Sequence, residues 1–214
     1  MASPEPFPDW FFRRDDTTPD PDFYGQPRLV THIDDGAIAA VGELYAELGI
    51  DGSSRVLDLM SSWISHLPQP PAELVVLGMN AAELAANPMA TRRVVQDLNV
   101  DPRLPFDDDG FDAALCCVSV DYLTRPVEVL AEAARVLRPG APLVITFSNR
   151  CFPTKAVQGW LATDDAGHCA VVVAYLELAG GFGAPEAALR TPERDESGRP
   201  YRGDPLYAVV AYAD

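Results

Sequence analysis

The chain predicts an α/β fold with a single doubly wound sheet, mostly parallel. Short apolar runs bounded by turn residues recur along it, and the stretches between several of them carry helical spacing. A long apolar run, Phe111 to Val120, fits a strand buried on both faces, as in a sheet covered by helices on both sides. At 214 residues the chain fits one domain with a full core, and its 48% hydrophobic and 22% charged residues are globular values.

The elements follow in order. Six prolines within the first 27 residues make residues 1 to about 22 an irregular arm, ordered only where Trp10, Phe11 and Phe12 find a groove. Asp34 or Asp35 caps a helix from near Gly36, where Ile38, Val41, Leu44, Tyr45 and Leu48 fall at helical spacing before Gly49. Arg55–Leu59 reads as a strand, and Ser61–Leu67 as a short helix that Pro68 stops. Glu73–Leu77 is a strand, Ala81–Ala86 a brief helix and Arg92–Asp97 a third strand. After the Phe111–Val120 strand, Val127–Leu137 is a helix ended by Pro139-Gly140, and Pro142–Ser148 is another buried strand. A helix from Asp164 or Asp165 runs to Gly180-Gly181. Ala187–Arg190 and Leu206–Tyr212 are strands flanking a charged loop, Thr191–Pro205. The division expected is an arm and lid segment over 1–35 and one domain over 36–214.

Composition narrows the function classes. A formal net charge of −16 opposes binding to nucleic acid or anionic lipid. No apolar run is long enough to span a bilayer, and the N-terminus lacks a signal-peptide core, so a cytoplasmic protein is expected. Cys116, Cys117, Cys151 and Cys169 lack the spacing of a zinc site, and no metal is expected. They read as buried free thiols, with a catalytic Cys151 the minor alternative.

In a doubly wound sheet, ligands bind beyond the carboxyl ends of the strands, where strand order reverses. Met60, Asn80, Asp97, Ser119 and Asn149 stand at those ends. Leu104-Pro105-Phe106 with Phe111-Asp112, followed by Arg135-Val136-Leu137-Arg138-Pro139-Gly140, resembles two segments of the class I S-adenosylmethionine-dependent methyltransferases. The similarity lies with their small-molecule, type 11-like branch and covers roughly residues 55 to 214. It implies a Rossmann-like sheet whose seventh strand runs antiparallel, and S-adenosylmethionine as cofactor. It assigns Asp58 as the acid of the first strand and Met60, Ser61, Ser62 and Trp63 to the loop that is glycine-rich in the family. It further assigns Asn80 to the second strand's ribose-binding acid, Asp97 and Leu98 to the adenine edge, and Ser119 to the site.

Methyl transfer needs an aligned nucleophile and sometimes a base. Asp121 is a candidate base and Tyr122 a candidate orienting group; the alternative is that Asp121 caps the next helix while Tyr122 packs. His32 is a further candidate base. Tyr24, Arg28, Asn149, Arg150 and Lys155 are candidate contacts to a small substrate of polar or anionic character. Oligomeric state is not readable. The competing reading is a methyltransferase-like protein that binds or regulates without transferring methyl groups, because the loop and Asn80 both depart from the family pattern.

Overall fold

The structure, a computed structural model, describes residues 7–194 and 197–214. The first six residues of the expected arm, and residues 195–196 of the expected loop, lie outside the described residues. In chain order the elements are α1 (Asp20–Phe23), α2 (Asp35–Glu47), β1 (Arg55–Leu59), β2 (Glu73–Gly78), α3 (Ala81–Ala86), β3 (Arg92–Val95) and β4 (Ala113–Cys117). A 3₁₀ turn (Val120–Tyr122) follows, then α4 (Pro126–Val136), β5 (Pro142–Phe147), α5 (Gln158–Leu161), α6 (Asp165–Ala179), β6 (Glu186–Leu189) and β7 (Tyr207–Tyr212).

The sheet has seven strands in the order β3-β2-β1-β4-β5-β7-β6. β1 to β5 are mutually parallel, while β7 is antiparallel to both β5 and β6. This is a Rossmann-like doubly wound sheet, as expected. Its central strands read as unbroken apolar runs because both faces are covered. One face packs Leu57, Ala114 and Ile145 against Leu130 and Ala133 of α4 and Tyr175 and Leu176 of α6. The other packs Val56, Val76 and Leu115 against Val41, Leu44 and Tyr45 of α2. Strand order reverses between β1 and β4, which sets the crevice there.

Arg135 explains why the two motif segments occur together. From α4 it donates to the carbonyls of Leu104 and Phe106 and to the carboxylates of Asp108 and Glu132. Arg138 pairs with Asp112 in the same way, so both arginines tie the loop before β4 to the end of α4.

Two expected elements are corrected. Ser61–Leu67 forms no helix: Ser61 Oγ turns back to Asp58, His66 takes φ +53°, and Pro68 closes the segment. The strand expected over Phe111–Val120 spans only Ala113–Cys117, because Val118 adopts φ +45° and the chain then winds into the 3₁₀ turn. Among the described residues no helix is long and apolar enough to cross a membrane.

Candidate functional site

A cavity of about 350 Å³ opens at the carboxyl ends of β1, β2 and β4. Its floor begins with the turn after β1. Met60 has φ +53°, the left-handed conformation that glycine adopts freely. The turn therefore keeps a glycine-type backbone without a glycine. Ser61 N–H donates to Leu77 O at 2.8 Å, and the Ser61 carbonyl lies where any Cβ on Gly78 would sit. Trp63 is part of the lining, and its Nε1 donates to Val30 O at 3.1 Å, tying the turn to the N-terminal arm.

Strain gathers around this cavity. The described non-glycine residues with positive φ are Met60, His66, Asp109 and Val118, and all but Asp109 line it. Val118 is β-branched, the type least suited to that conformation. Such strain persists only where the surroundings enforce it and tends to cluster at functional sites.

Polar groups without partners gather there too. Tyr24 Oη, Arg28 Nη1 and His66 Nδ1 are buried, lack hydrogen-bond partners and belong to lining residues. The Arg28 guanidinium lies over the rings of Phe23 (4.7 Å), Phe152 (5.4 Å) and Tyr24 (5.8 Å), while its Nη2 donates to Phe23 O. The three rings hold the cation in place and leave Nη1 without a partner.

Burial raises the Asp58 carboxyl to about 6, although the hydroxyls of Ser61 and Ser65 favour its ionised form. Burial lowers both His32 and His66, and each is further touched by charge: Glu83 opposes the shift at His32, and His32 adds to it at His66. Burial pushes the Cys117 thiol up to about 12, so this cavity-lining sulfur is a thiol at neutral pH.

Most of the sequence-derived site residues converge on this cavity: His32, Asp58, Met60, Ser61, Ser62, Trp63, Asn80, Asp97, Leu98, Ser119, Tyr122, Tyr24, Arg28 and Arg150 all line it. Three do not. Asn149 lines a neighbouring trough. Asp121 is 3% exposed and sits behind the wall, raised to about 8 mainly by burial. Lys155 is fully buried and binds the arm, with Nζ 3.1 Å from Asp20, 3.6 Å from Asp16 and 2.6 Å from Thr18 O.

Asn80 is also committed. Its Oδ1 caps α3 through the N–H groups of Ala82 and Glu83, and its Nδ2 donates to the carbonyls of Tyr24 and Gly25. Tyr122 Oη accepts from Phe152 N–H at 2.8 Å, fixing the loop after β5. Sequence reasoning missed Glu83, whose carboxylate accepts from Ser62 Oγ and Arg28 N–H, and Asn99, which bridges Asp20, Tyr122 O and Thr124. The Asn80-x-x-Glu83 spacing is a helix-start signature that marked Glu83.

The residues present fit a cofactor with an adenosine and an amino-acid end. Asp97, Leu98, Asp58 and the Met60–Ser62 turn line the cavity, so carboxylates and backbone groups would hold the two ends. Among the described residues no cluster of His, Cys, Asp and Glu suits a metal ion.

Comparison with known proteins points to methyltransferases. Residues 61–145 match the family model of a methyltransferase domain. A demethylmenaquinone methyltransferase of Mycolicibacterium paratuberculosis is 36% identical over 114 residues, covering 50% of this chain and 49% of that protein. A ubiquinone/menaquinone biosynthesis C-methyltransferase of Geobacter sp. is 24% identical, covering 70% of this chain and 68% of its own. The chain thus spans about half the length of the demethylmenaquinone relative. A solved SAM-dependent methyltransferase of Archaeoglobus fulgidus shares the fold, with a TM-score of 0.56 at 15% identity over 82% of this chain and 94% of that one. The 4+2 cyclase SpnF shares it too, at a TM-score of 0.55 and 17% identity over 90% of each chain, so the fold alone does not assign chemistry. In its methyltransferase-domain match, its relatives and its sheet, this chain is similar to the class I S-adenosylmethionine-dependent methyltransferases, and the likeness implies S-adenosylmethionine as cofactor.

Proposed function

We propose that the protein transfers a methyl group to a small, planar, hydroxylated ring whose ionised oxygen is received by Arg28. The observation that carries this reading is the convergence on one cavity of left-handed Met60, His66 and Val118. A fold under no functional demand relaxes such positions to residues that suit them. S-adenosylmethionine supplies an electrophilic methyl group on a sulfonium. The chain's own task is to hold the acceptor in line and shield it from water.

Arg28 suits the acceptor's oxygen, because Nη1 is a buried donor without a partner and the guanidinium stays charged. An ionised ring oxygen beside it is a stronger nucleophile than the neutral hydroxyl and makes a charge-assisted hydrogen bond. Tyr24, Tyr122 and Phe152 offer aromatic surface for the ring itself. A relative is named for methylation of demethylmenaquinone, a planar quinone, which supports a planar ring as acceptor.

The test is transfer of isotope-labelled methyl from S-adenosylmethionine to 1,4-naphthalenediol, read by mass spectrometry. Label in the diol, with kcat/KM about tenfold lower or worse in Arg28→Met, is the expected result. Cofactor binding with no transfer to this or other hydroxylated rings would favour the second reading, a binding module. That reading draws on Asn80, whose amide already serves the arm and α3.

A further inference from the structure

A ring hydroxyl with a pKa of about 10, like that of tyrosine, is only about one part in a thousand ionised at pH 7. The acceptor proposed above reacts through its ionised oxygen, so a group in the cavity has to take the proton. That group needs an open acceptor atom, access to the cavity and a basicity near neutral pH. Several lining groups fail one of these conditions. Glu83 already accepts from Ser62 Oγ and Arg28 N–H, and Asp97 from Asn99 N–H. Asp58 is 3% exposed and accepts from Ser61 Oγ. Cys117 holds its proton up to about 12, and His66 Nδ1 is buried out of a ligand's reach.

His32 meets all three. It lines the cavity, the residue is exposed, and no described residue hydrogen-bonds its ring. A neutral imidazole there offers one open acceptor nitrogen. The surrounding walls lower its basicity and keep the ring neutral at pH 7; Glu83 of α3 opposes that shift, and Arg28 of the arm adds to it. His66, from the segment after β1, faces it too. The ring is also held in place. Phe152 meets it in a T-shaped contact at 5.3 Å between centroids, and buried Ile33 follows it in the chain. Two residues earlier, Val30 O accepts from Trp63 Nε1. The Arg28 guanidinium lies 5.4 Å from the same Phe152 ring, so the imidazole and the cation share one aromatic support.

We propose that His32 is the general base of the methyl transfer described above, a role that rests on a hydroxylated ring as the acceptor. The ring's O–H bond breaks, its proton passes to the open imidazole nitrogen, and the electron pair stays on oxygen. That pair forms the bond to the methyl carbon while the carbon–sulfur bond breaks and its electrons return to sulfur. The positive charge that begins on sulfur thus ends on the imidazolium, where Glu83 favours it. Because His32 is exposed, the imidazolium then gives its proton to solvent and the base is restored.

The proton step is read without any methyl transfer by 4-nitrophenol, whose phenolate absorbs where the neutral form does not. With the whole chain and saturating S-adenosylhomocysteine at about pH 6, wild type should hold at least about threefold more bound phenolate than His32→Gln. Equal phenolate in the two proteins, or no spectral change up to about 10 mM phenol, overturns the proposal. The second measurement is the pH profile of label transfer to 1,4-naphthalenediol. Wild type should level off above about pH 6.5, whereas His32→Gln should be about 100-fold slower in kcat at pH 7 with KM within about threefold. The variant's rate should go on climbing about tenfold per pH unit towards the acceptor's own ionisation. S-adenosylhomocysteine affinity within about threefold of wild type separates a lost base from a lost fold. Label transferred with the same profile in both proteins removes His32 and leaves the proposed function standing. No transfer by wild type to any hydroxylated ring overturns both.

Discussion

At Met60 the backbone takes the left-handed conformation that glycine adopts freely. Its φ of +53° costs about 1 kcal/mol for an unbranched residue and more for a branched one. Met60→Gly relieves that strain and loses some packing, so its stability should lie within about 1 kcal/mol of wild type. Met60→Val, with a branched Cβ, should lose about 2 kcal/mol in denaturant unfolding. Equal losses in both variants would show that the turn is not left-handed in solution. Asp121 tests a different residue-level point. Because it lies behind the cavity wall, Asp121→Asn should leave S-adenosylhomocysteine affinity within about threefold of wild type. A larger loss would place its carboxyl at the ligand.

Among the elements, the N-terminal arm is the one whose placement decides the site. It supplies Tyr24, Arg28 and His32 to the cavity and is held by Lys155, Asn80, Trp63 and Glu83. Asn80→Asp keeps the cap on α3 but replaces both donors to the arm with an anion facing two carbonyls. Amide exchange across residues 20–31 should then quicken about tenfold while the sheet strands stay protected. Unchanged exchange there would mean that the arm is held by other contacts. Lys155→Met should destabilise the fold by about 3 kcal/mol, because it strands Asp16 and part of Asp20 without their cation. Much of the sheet was legible in sequence because Val75–Leu77 and Leu143–Ile145 are apolar runs of strand length between turn residues. The turn after β4 was not, since the pattern of Val118 and Val120 reads as strand and only tertiary packing holds Val118 left-handed. The site's floor was legible from strand ends. Lys155 was misplaced because its carboxylate partners lie on the arm, far away in the chain, and no local spacing reveals them.

For the molecule as a whole, buried carboxyls set an unusual pH dependence. Burial raises Asp58 to about 6 and Asp121 to about 8, both above the unfolded carboxyl value. The folded state therefore binds more protons through these groups than the unfolded state does. Their contribution is fully present below about pH 4 and is lost as pH rises through about 6 and then about 8. His32 and His66 are lowered and act in the opposite sense, so the cleanest readout is a difference. Asp121→Asn should abolish the part of the stability loss that occurs between about pH 6 and pH 8. An identical pH slope in variant and wild type would remove Asp121 from the account.

The central claim is that a chain lacking the family's loop glycines still shapes a cavity for the cofactor. Calorimetric titration of the intact protein with S-adenosylhomocysteine, followed in parallel by tryptophan fluorescence through Trp63, tests it most directly. The account predicts one site per chain with Kd of about 1 μM or tighter, near −8 kcal/mol. No heat and no fluorescence change at about 1 mM ligand would contradict it.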